Sequence, residues 1–572
     1  MVQRTLRAFR DSGWMFIPHM PLIGMSYRGK DLLSDIIAGV TVAAILIPQS
    51  VGYAVLAGVP AAFGLYAALV GGIAGSLWGS SRFLATGPIA IVSLLTFSAV
   101  SSIVKPGSVE FLVLVPALAV MIGIVQIALG IARLGFLIRL VPLSVIVGFS
   151  SSAALIIALS QTPTLFGFAS SQNALPIQMI LDIGRHLFDI HLVSAGVGIT
   201  SLILLVLLRR FVPRVPAALA VLILGIAGSY FFDLVNLGVG LAGSIPSHLP
   251  APHIPDISLE FIATLIEKAL IIALVGFLSS YAVVKEYAHR TKERLDVDQE
   301  LIGQGFANLL AGLFRGVPVA GSFSRTAVNY ESGAVTAWSG VFASIVVVCA
   351  ILFLSSALAY VPNAVIAAIV VASVLQLVDV PHLWRINKIS SLDGVVAATV
   401  FVLSFILRAN DAVLVGVVLA LVLFVNRMMW VDVVEVGIER SLNILRAIQN
   451  TEEDIESLPH TLILRIDSAF FYANSERLVE RMRALLLLIE GESGRHISFL
   501  VLSCAGVDFI DGTGIETLEA FIDELDERRT ELCLMYSRRH FREALERAGA
   551  LHRVCIINNI AELRALQPIR TS

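Results

Sequence analysis

Cysteine and charge are both scarce in this chain. Four cysteines occur in 572 residues: Cys349, Cys504, Cys533 and Cys555. They form no CxxC pair and no metal-like spacing, so neither a structural disulfide nor a zinc site is expected. Charged residues make up 15%, whereas soluble domains carry about 25%. No Ser-His-Asp set, P-loop or basic nucleic-acid patch stands out. His186, His191, His248 and His253 fall in loops without ligand spacing. An enzyme, a metal, a cofactor and a nucleic-acid partner are therefore not expected. A cleavable leader is not expected either. The first 30 residues are broken by Pro18 and Pro21 and carry Arg4, Arg7, Arg10, Arg28 and Lys30, which reads as a membrane-surface segment.

What the chain has in abundance is apolar sequence. Hydrophobic residues make up 57% and the mean hydropathy is +0.86, so most of it belongs in a bilayer. Charge is unevenly spread. Residues 1–430 hold 24 Lys and Arg against 19 Asp and Glu, a net of +5. Residues 431–572 hold 16 against 24, a net of −8. A mildly basic membrane part is thus followed by an acidic part of ordinary domain size.

Hydrophobic segments fall near 35–57, 62–78, 88–100, 111–131, 142–162, 190–209 and 215–232. A second set falls near 259–284, 298–313, 322–332, 338–358, 362–378, 393–408 and 411–430. The third segment of each set is short. One opens at Thr86-Gly87-Pro88, the other at Gly321-Ser322-Phe323-Ser324-Arg325. At about 1.5 Å per residue they reach roughly 20 and 15 Å, against a hydrocarbon core of about 30 Å. A helix ending in mid-membrane is tolerated only around a protein-lined cavity. Seven segments per set turn the second set upside down relative to the first. Interrupted segments at matching places then point to an inverted-repeat transporter with a midplane site. Two helix N-termini facing each other there make a donor-rich, positive pocket suited to an anion.

Basic clusters follow even-numbered segments: Arg133 with Arg139, Arg209-Arg210 with Arg214, Lys285 to Arg294, and Arg385 with Lys388. The positive-inside rule then places both termini in the cytoplasm. Lys105 and Arg315 depart from the pattern singly. The expected divisions are a cytoplasmic segment over 1–34 and a transmembrane domain over 35–430. Its repeats cover about 35–233 and 259–430. A linker over 431–457, including the acidic run Thr451 to Ser457, precedes an α/β domain over 458–572. In that domain strands are expected over 461–466, 496–502 and 531–536, and helices over 475–490, 512–525 and 539–548.

Several runs resemble one family. Asp35 to Gly58, with Ile47-Pro48-Gln49-Ser50 and Gly52-Tyr53-Ala54, looks like the first helix of the sulfate permease (SulP) anion transporters. Val59-Pro60 to Tyr66, Gly79 to Arg82, and Gly87-Pro88 to Leu95 match their second and third helices. Asp298 to Gly305 and Gly321 to Asn329 match the ninth and tenth. Ile466 to Asn474 and Val507 to Gly514 resemble a STAS domain. The resemblance implies a polytopic α-helical protein of 14 segments, a seven-plus-seven inverted repeat with two half-helices, and a C-terminal cytoplasmic α/β STAS domain. Family members carry sulfate, bicarbonate, chloride or dicarboxylates by alternating access. They are often homodimers, and some exchange one anion for another.

Arg325, three residues into a half-helix, is unfavourably placed unless an anion or carboxylate is close. The resemblance sets it beside the anion, with Gln49 and Tyr53 lining the same pocket. Ser324 and the N–H groups of Phe323 to Arg325 are expected to cap the anion, as are those of Ile89 and Ala90. Ser322 or Ser324 is the expected N-cap, and Pro88 suits a helix's first turn. The family's eighth helix often reads Gly-Phe-x-Glu-Ser, its acid linked to proton or sodium coupling. Here it reads Gly276-Phe277-Leu278-Ser279-Ser280, and Ser279 cannot titrate. Exchange or uncoupled movement gains weight accordingly. By the resemblance, Thr513 stands where stand-alone STAS regulators carry a phosphorylated serine, which makes it the candidate regulatory position and the STAS domain the candidate surface for a cytoplasmic protein partner. The protein expected is a secondary anion transporter of the inner (plasma) membrane. Its rivals are a nucleobase-type permease of the same fold and an anion sensor signalling through STAS.

Overall fold

The computed structural model describes residues 28–566 except 137–141, 169–174, 187, 213–214, 244–245, 257, 294, 376–377, 379, 431–432, 441, 443 and 449–454. Most of the N-terminal segment expected over 1–34 and most of the acidic run fall outside these residues. So do Arg139, Arg214 and Arg294. By internal contact the chain forms two compact units, Met1–Ala420 and Leu421–Ser572.

The first unit is helical. Its first half holds α1 (Gly29–Leu56), α2 (Ala61–Trp78), the two-residue strand β1 (Thr86–Gly87), α3 (Ala90–Ser101), α4 (Val109–Ile131), α5 (Leu143–Phe166), α6 (Pro176–Arg185), α7 (Leu192–Phe211) and α8 (Ala217–Phe231). The second holds α9 (Leu259–Thr291), α10 (Val297–Leu313), β2 (Ala320–Gly321), α11 (Phe323–Glu331), α12 (Trp338–Ala359), α13 (Asn363–Val374), α14 (Val380–Ile389), α15 (Ser391–Ile406) and α16 (Ala409–Met429). Among the described residues, eight helices are long and apolar enough to cross a bilayer: α1, α2, α4, α5, α7, α9, α12 and α16. Several helices begin where a side chain takes an orphan N–H. Ser108, Asp296 and Ser390 accept from Phe111, Gln299 and Asp393.

Two short helices were not expected. Both α6 and α14 are amphipathic, and each falls between the fifth and sixth apolar segments of its half. A search for long apolar runs passes over such helices, yet their matched positions follow the repeat. Packing also respects it. Helices α1–α4 pack with α9–α12, whereas α5 and α7 pack with α13 and α15. Each bundle therefore takes corresponding segments from both halves.

The tightest pairing in the first bundle is between α4 and α10. Gly123 faces Gly305 across it, while Gly130 lies against Asp298 and Ile302, and Gly312 against Pro116 and Val120. A Cβ on Gly123 would lie 2.4 Å from the Leu309 nitrogen and 2.6 Å from the Gly305 oxygen. Close backbone approach of this kind is how membrane helices gain dispersion energy when lipid gives no hydrophobic drive.

The second unit is a 7-stranded sheet ordered β4-β3-β6-β7-β8-β9, with β5 (Ile455–Glu456) paired to β3. Its strands are β3 (Val433–Glu439), β4 (Ile444–Ala447), β6 (Thr461–Ile466), β7 (Phe499–Ser503), β8 (Glu531–Met535) and β9 (Cys555–Ile557). Strands β6 to β9 run parallel, and β3 is antiparallel to β6. Helices α17 (Ser475–Ser493), α18 (Gly512–Glu527) and α19 (Arg539–Ala548) pack on one face over Leu462, Leu464, Leu500, Leu502 and Leu534. The other face carries Ile463, Val501, Cys533 and Met535, with Ile560 and Leu563 of α20 (Ile560–Arg564) against it. The linker expected over 431–457 is corrected in part: β3 lies inside it and contributes Val433, Val436 and Ile438 to the core.

Candidate functional site

The site grows from the two half-helices. Helix α3 has 12 residues and α11 has 9, so neither spans a core of about 30 Å. Just before each lies one strand of an antiparallel ladder. Thr86 pairs with Gly321, and Gly87 with Ala320. The ladder sets the two N-termini beside each other.

Polar side chains in otherwise apolar helices hold the ladder. On α10, Gln304 and Asn308 share one face at i, i+4 spacing. Gln304 donates to Thr86 Oγ1 at 2.9 Å. Asn308 clasps Val319, donating to its carbonyl at 2.9 Å and accepting its N–H at 2.8 Å. From α9, the Ser280 hydroxyl accepts the Gly321 N–H at 2.7 Å. Ala85 donates to Thr326 Oγ1 at 3.0 Å and accepts from the Ser322 N–H at 3.1 Å. None of Thr86, Ser280, Gln304, Asn308 or Thr326 was singled out from sequence. The available signal was an amide pair four residues apart in an apolar helix. We expect Ser280→Ala to strand the buried Gly321 N–H at a cost of about 1–3 kcal/mol. Thermal unfolding in detergent should show a lowered Tm.

Arg325 lies where the half-helices meet and is 0% exposed. Its Nη1 donates to Gln49 Oε1 and to the Pro88 carbonyl, both at 3.0 Å. One guanidinium thus links α11, α1 and the start of α3. A Cβ on Gly87 would sit 3.3 Å from Nη2, so this close approach favours glycine. Nε and Nη2 have no hydrogen-bond partner. No carboxylate pairs with Arg325 among the described residues. A guanidinium has five N–H donors, and here three remain unmatched. A buried cation near a helix N-terminus, short of acceptors, is costly by itself. What offsets that cost is negative charge.

Of the other expected site residues, Gln49 and Tyr53 are buried one turn apart on α1, just after Pro48. Tyr53 lies beside Ser373 of α13, across the boundary between the bundles. Ile89 is the N-cap of α3 and Ala90 its first residue. Pro88 therefore precedes the helix instead of filling its first turn, and its carbonyl is left to meet Arg325. Ser322 is the N-cap of α11 and accepts the Arg325 N–H at 3.4 Å. That N–H is consequently occupied, whereas Phe323 and Ser324 are exposed at the helix start. The Ser324 hydroxyl lies 3.3 Å from that of Ser322. Ser279 donates to the Val275 carbonyl at 3.1 Å and brings no charge. Thr513 belongs to the other unit. It is the second residue of α18, exposed, in a turn capped by Asp511, which accepts the Gly514 N–H at 2.8 Å.

The Sulfate permease family signature matches residues 32–400, and that of the STAS domain matches 453–563. Sulfate transporter 4.1, chloroplastic, from Arabidopsis thaliana is 32% identical, over 92% of this chain and 79% of that protein. A probable sulfate transporter from Mycobacterium tuberculosis is 29% identical, over 92% of this chain and 93% of that protein. Among solved structures, the murine Solute Carrier 26 family member A9 anion transporter in the inward-facing state superposes with a TM-score of 0.88. It shares 22% identity, covering 97% of this chain and 94% of that one. The transmembrane domain of a cyanobacterium bicarbonate transporter, BicA, gives a TM-score of 0.60 at 25% identity, covering 69% of this chain and 98% of that domain.

Proposed function

The chain belongs to the sulfate permease family of anion transporters, and we propose that it carries a small oxyanion or halide by alternating access. The anion is held between the N-termini of α3 and α11. One observation carries this reading: the buried Arg325 guanidinium sits at that junction with Nε and Nη2 unmatched and no carboxylate partner among the described residues. The remaining first-turn N–H groups of both half-helices, with Ser324, Gln49 and Tyr53, complete the seat. Sulfate and bicarbonate, which the relatives' names mention, both present several acceptor oxygens to such a fan of donors. We place the protein in the plasma membrane as a homodimer, as the family resemblance implies, with both termini cytoplasmic on the strength of the basic clusters.

Reconstituted protein in liposomes tests the reading. Uptake of labelled sulfate, competed by bicarbonate, chloride and dicarboxylates, should rank the substrates. Absence of flux for every anion, with binding intact, would favour a sensor and overturn it. Ser279 offers no titratable group where coupled relatives carry an acid. Transport should therefore persist when a protonophore is added at clamped voltage. A collapse of accumulation under that treatment would show proton coupling by another group.

A further inference from the structure

Apart from the membrane site, one cluster of metal-ligating atoms stands out among the described residues. Glu531, Cys533 and Cys555 bring a carboxylate oxygen and two sulfurs within 4.8 Å of one another. The topology explains how. Cys533 on β8 and Cys555 on the edge strand β9 are register partners in the parallel ladder. Glu531 is two residues before Cys533, so its side chain emerges on the same face. Cys533 is fully buried, Cys555 half-buried and Glu531 exposed. The cluster therefore runs from the sheet interior to solvent, which gives an ion a way in. The two cysteines are 22 positions apart, a spacing that matches no metal motif.

We propose that Cys533, Cys555 and Glu531 form a site for a thiophilic d10 metal ion, of which zinc is the expected occupant. Thiolate sulfurs select such ions over calcium or magnesium. Around a tetrahedral zinc with Zn–S near 2.3 Å, ligand atoms stand about 3.8 Å apart. Side-chain rotations of under about 1 Å per ligand atom bring this cluster to that spacing. Water supplies the fourth ligand at the open, Glu531 side. Binding exchanges the two thiol protons for one divalent ion, so the protons pass to solvent and no redox step is involved. The consequence is mechanical. The ion clamps the short edge strand β9, and with it α20, onto β8.

The test uses purified full-length protein stripped of metal and kept reduced. Cobalt serves as a visible zinc surrogate, and zinc itself is titrated against a chromophoric chelator. The expected result is one ion per chain, a sulfur-to-cobalt charge-transfer band, and a raised Tm of the soluble domain with zinc. Cys555→Ser should remove the band and weaken zinc at least tenfold. Glu531→Gln should weaken zinc while keeping the band. Cys349→Ser, remote in sequence and topology, should change neither. No band in the wild type, or a band and zinc affinity untouched in Cys555→Ser, overturns the proposal. Exposed Glu531 and half-buried Cys555 can be substituted without opening the core at Cys533, so misfolding does not shield the proposal.

Discussion

Replacing Arg325 by alanine should reduce anion flux to background and weaken anion binding by a factor of about 100 or more. The estimate follows from the contacts at stake. Hydrogen bonds from a charged donor contribute about 1.5–3 kcal/mol each, and at least two unmatched guanidinium positions face the proposed seat. Losing two is worth roughly 3–6 kcal/mol, and every 1.4 kcal/mol is a factor of ten. Binding to liposome-reconstituted protein and uptake of labelled sulfate measure the two quantities. Arg325→Lys is the informative companion. Lysine keeps a positive charge but lacks the planar fork, so it cannot hold Gln49 and Pro88 while reaching an anion. It should retain partial uptake. The thermal profile separates a lost site from a lost fold: sulfate should raise Tm in the wild type and leave the alanine variant unmoved. Wild-type uptake and Kd in Arg325→Ala would remove this residue from the mechanism.

Gly305→Leu should abolish the folded membrane unit. A Cβ at Gly305 would lie 2.7 Å from Ile127 Cγ1 and 2.9 Å from the Gly123 oxygen. One of those contacts is backbone, so relief requires α4 and α10 to part. Overpacking normally costs about 1–3 kcal/mol; parting two helices adds the dispersion lost along the seam. The expected total exceeds about 3 kcal/mol, enough to unfold a marginal protein. Loss of the monodisperse peak in size-exclusion chromatography is the readout. Gly123→Leu meets the same seam, and the double variant should be little worse than either single one, because neighbouring sites couple. A well-folded Gly305→Leu protein with unchanged Tm would contradict the close packing.

Much of this architecture could be read from residue patterns, for identifiable reasons. Segment length alone exposes a half-helix, since about 30 Å of hydrocarbon sets a minimum that 9 or 12 residues do not meet. Arg325 was conspicuous because a cation opening a helix defies the macrodipole. In the soluble unit, β6, β7 and β8 alternate with strongly amphipathic helices and were equally plain. The hidden features were those made by partners distant in the chain. Ser280 matters through Gly321, and Gln304 through Thr86. Nothing near Ser280 separates it from Ser279, whose hydroxyl merely returns to its own helix. Cys533 and Cys555 meet through a parallel crossover, whose length obeys no spacing rule. Strand β3 lies in the stretch read as a linker.

The short ladder between Thr86-Gly87 and Ala320-Gly321 has a mechanical corollary. Prising the half-helices apart would sever its backbone pairs, the Asn308 clasp and the Arg325 tether together, in a medium with no water to replace them. The cradle should therefore move as one piece. A passenger seated there would ride with the cradle as cargo on a platform, and the sliding surface would be the seam where Gly52 and Tyr53 meet α13.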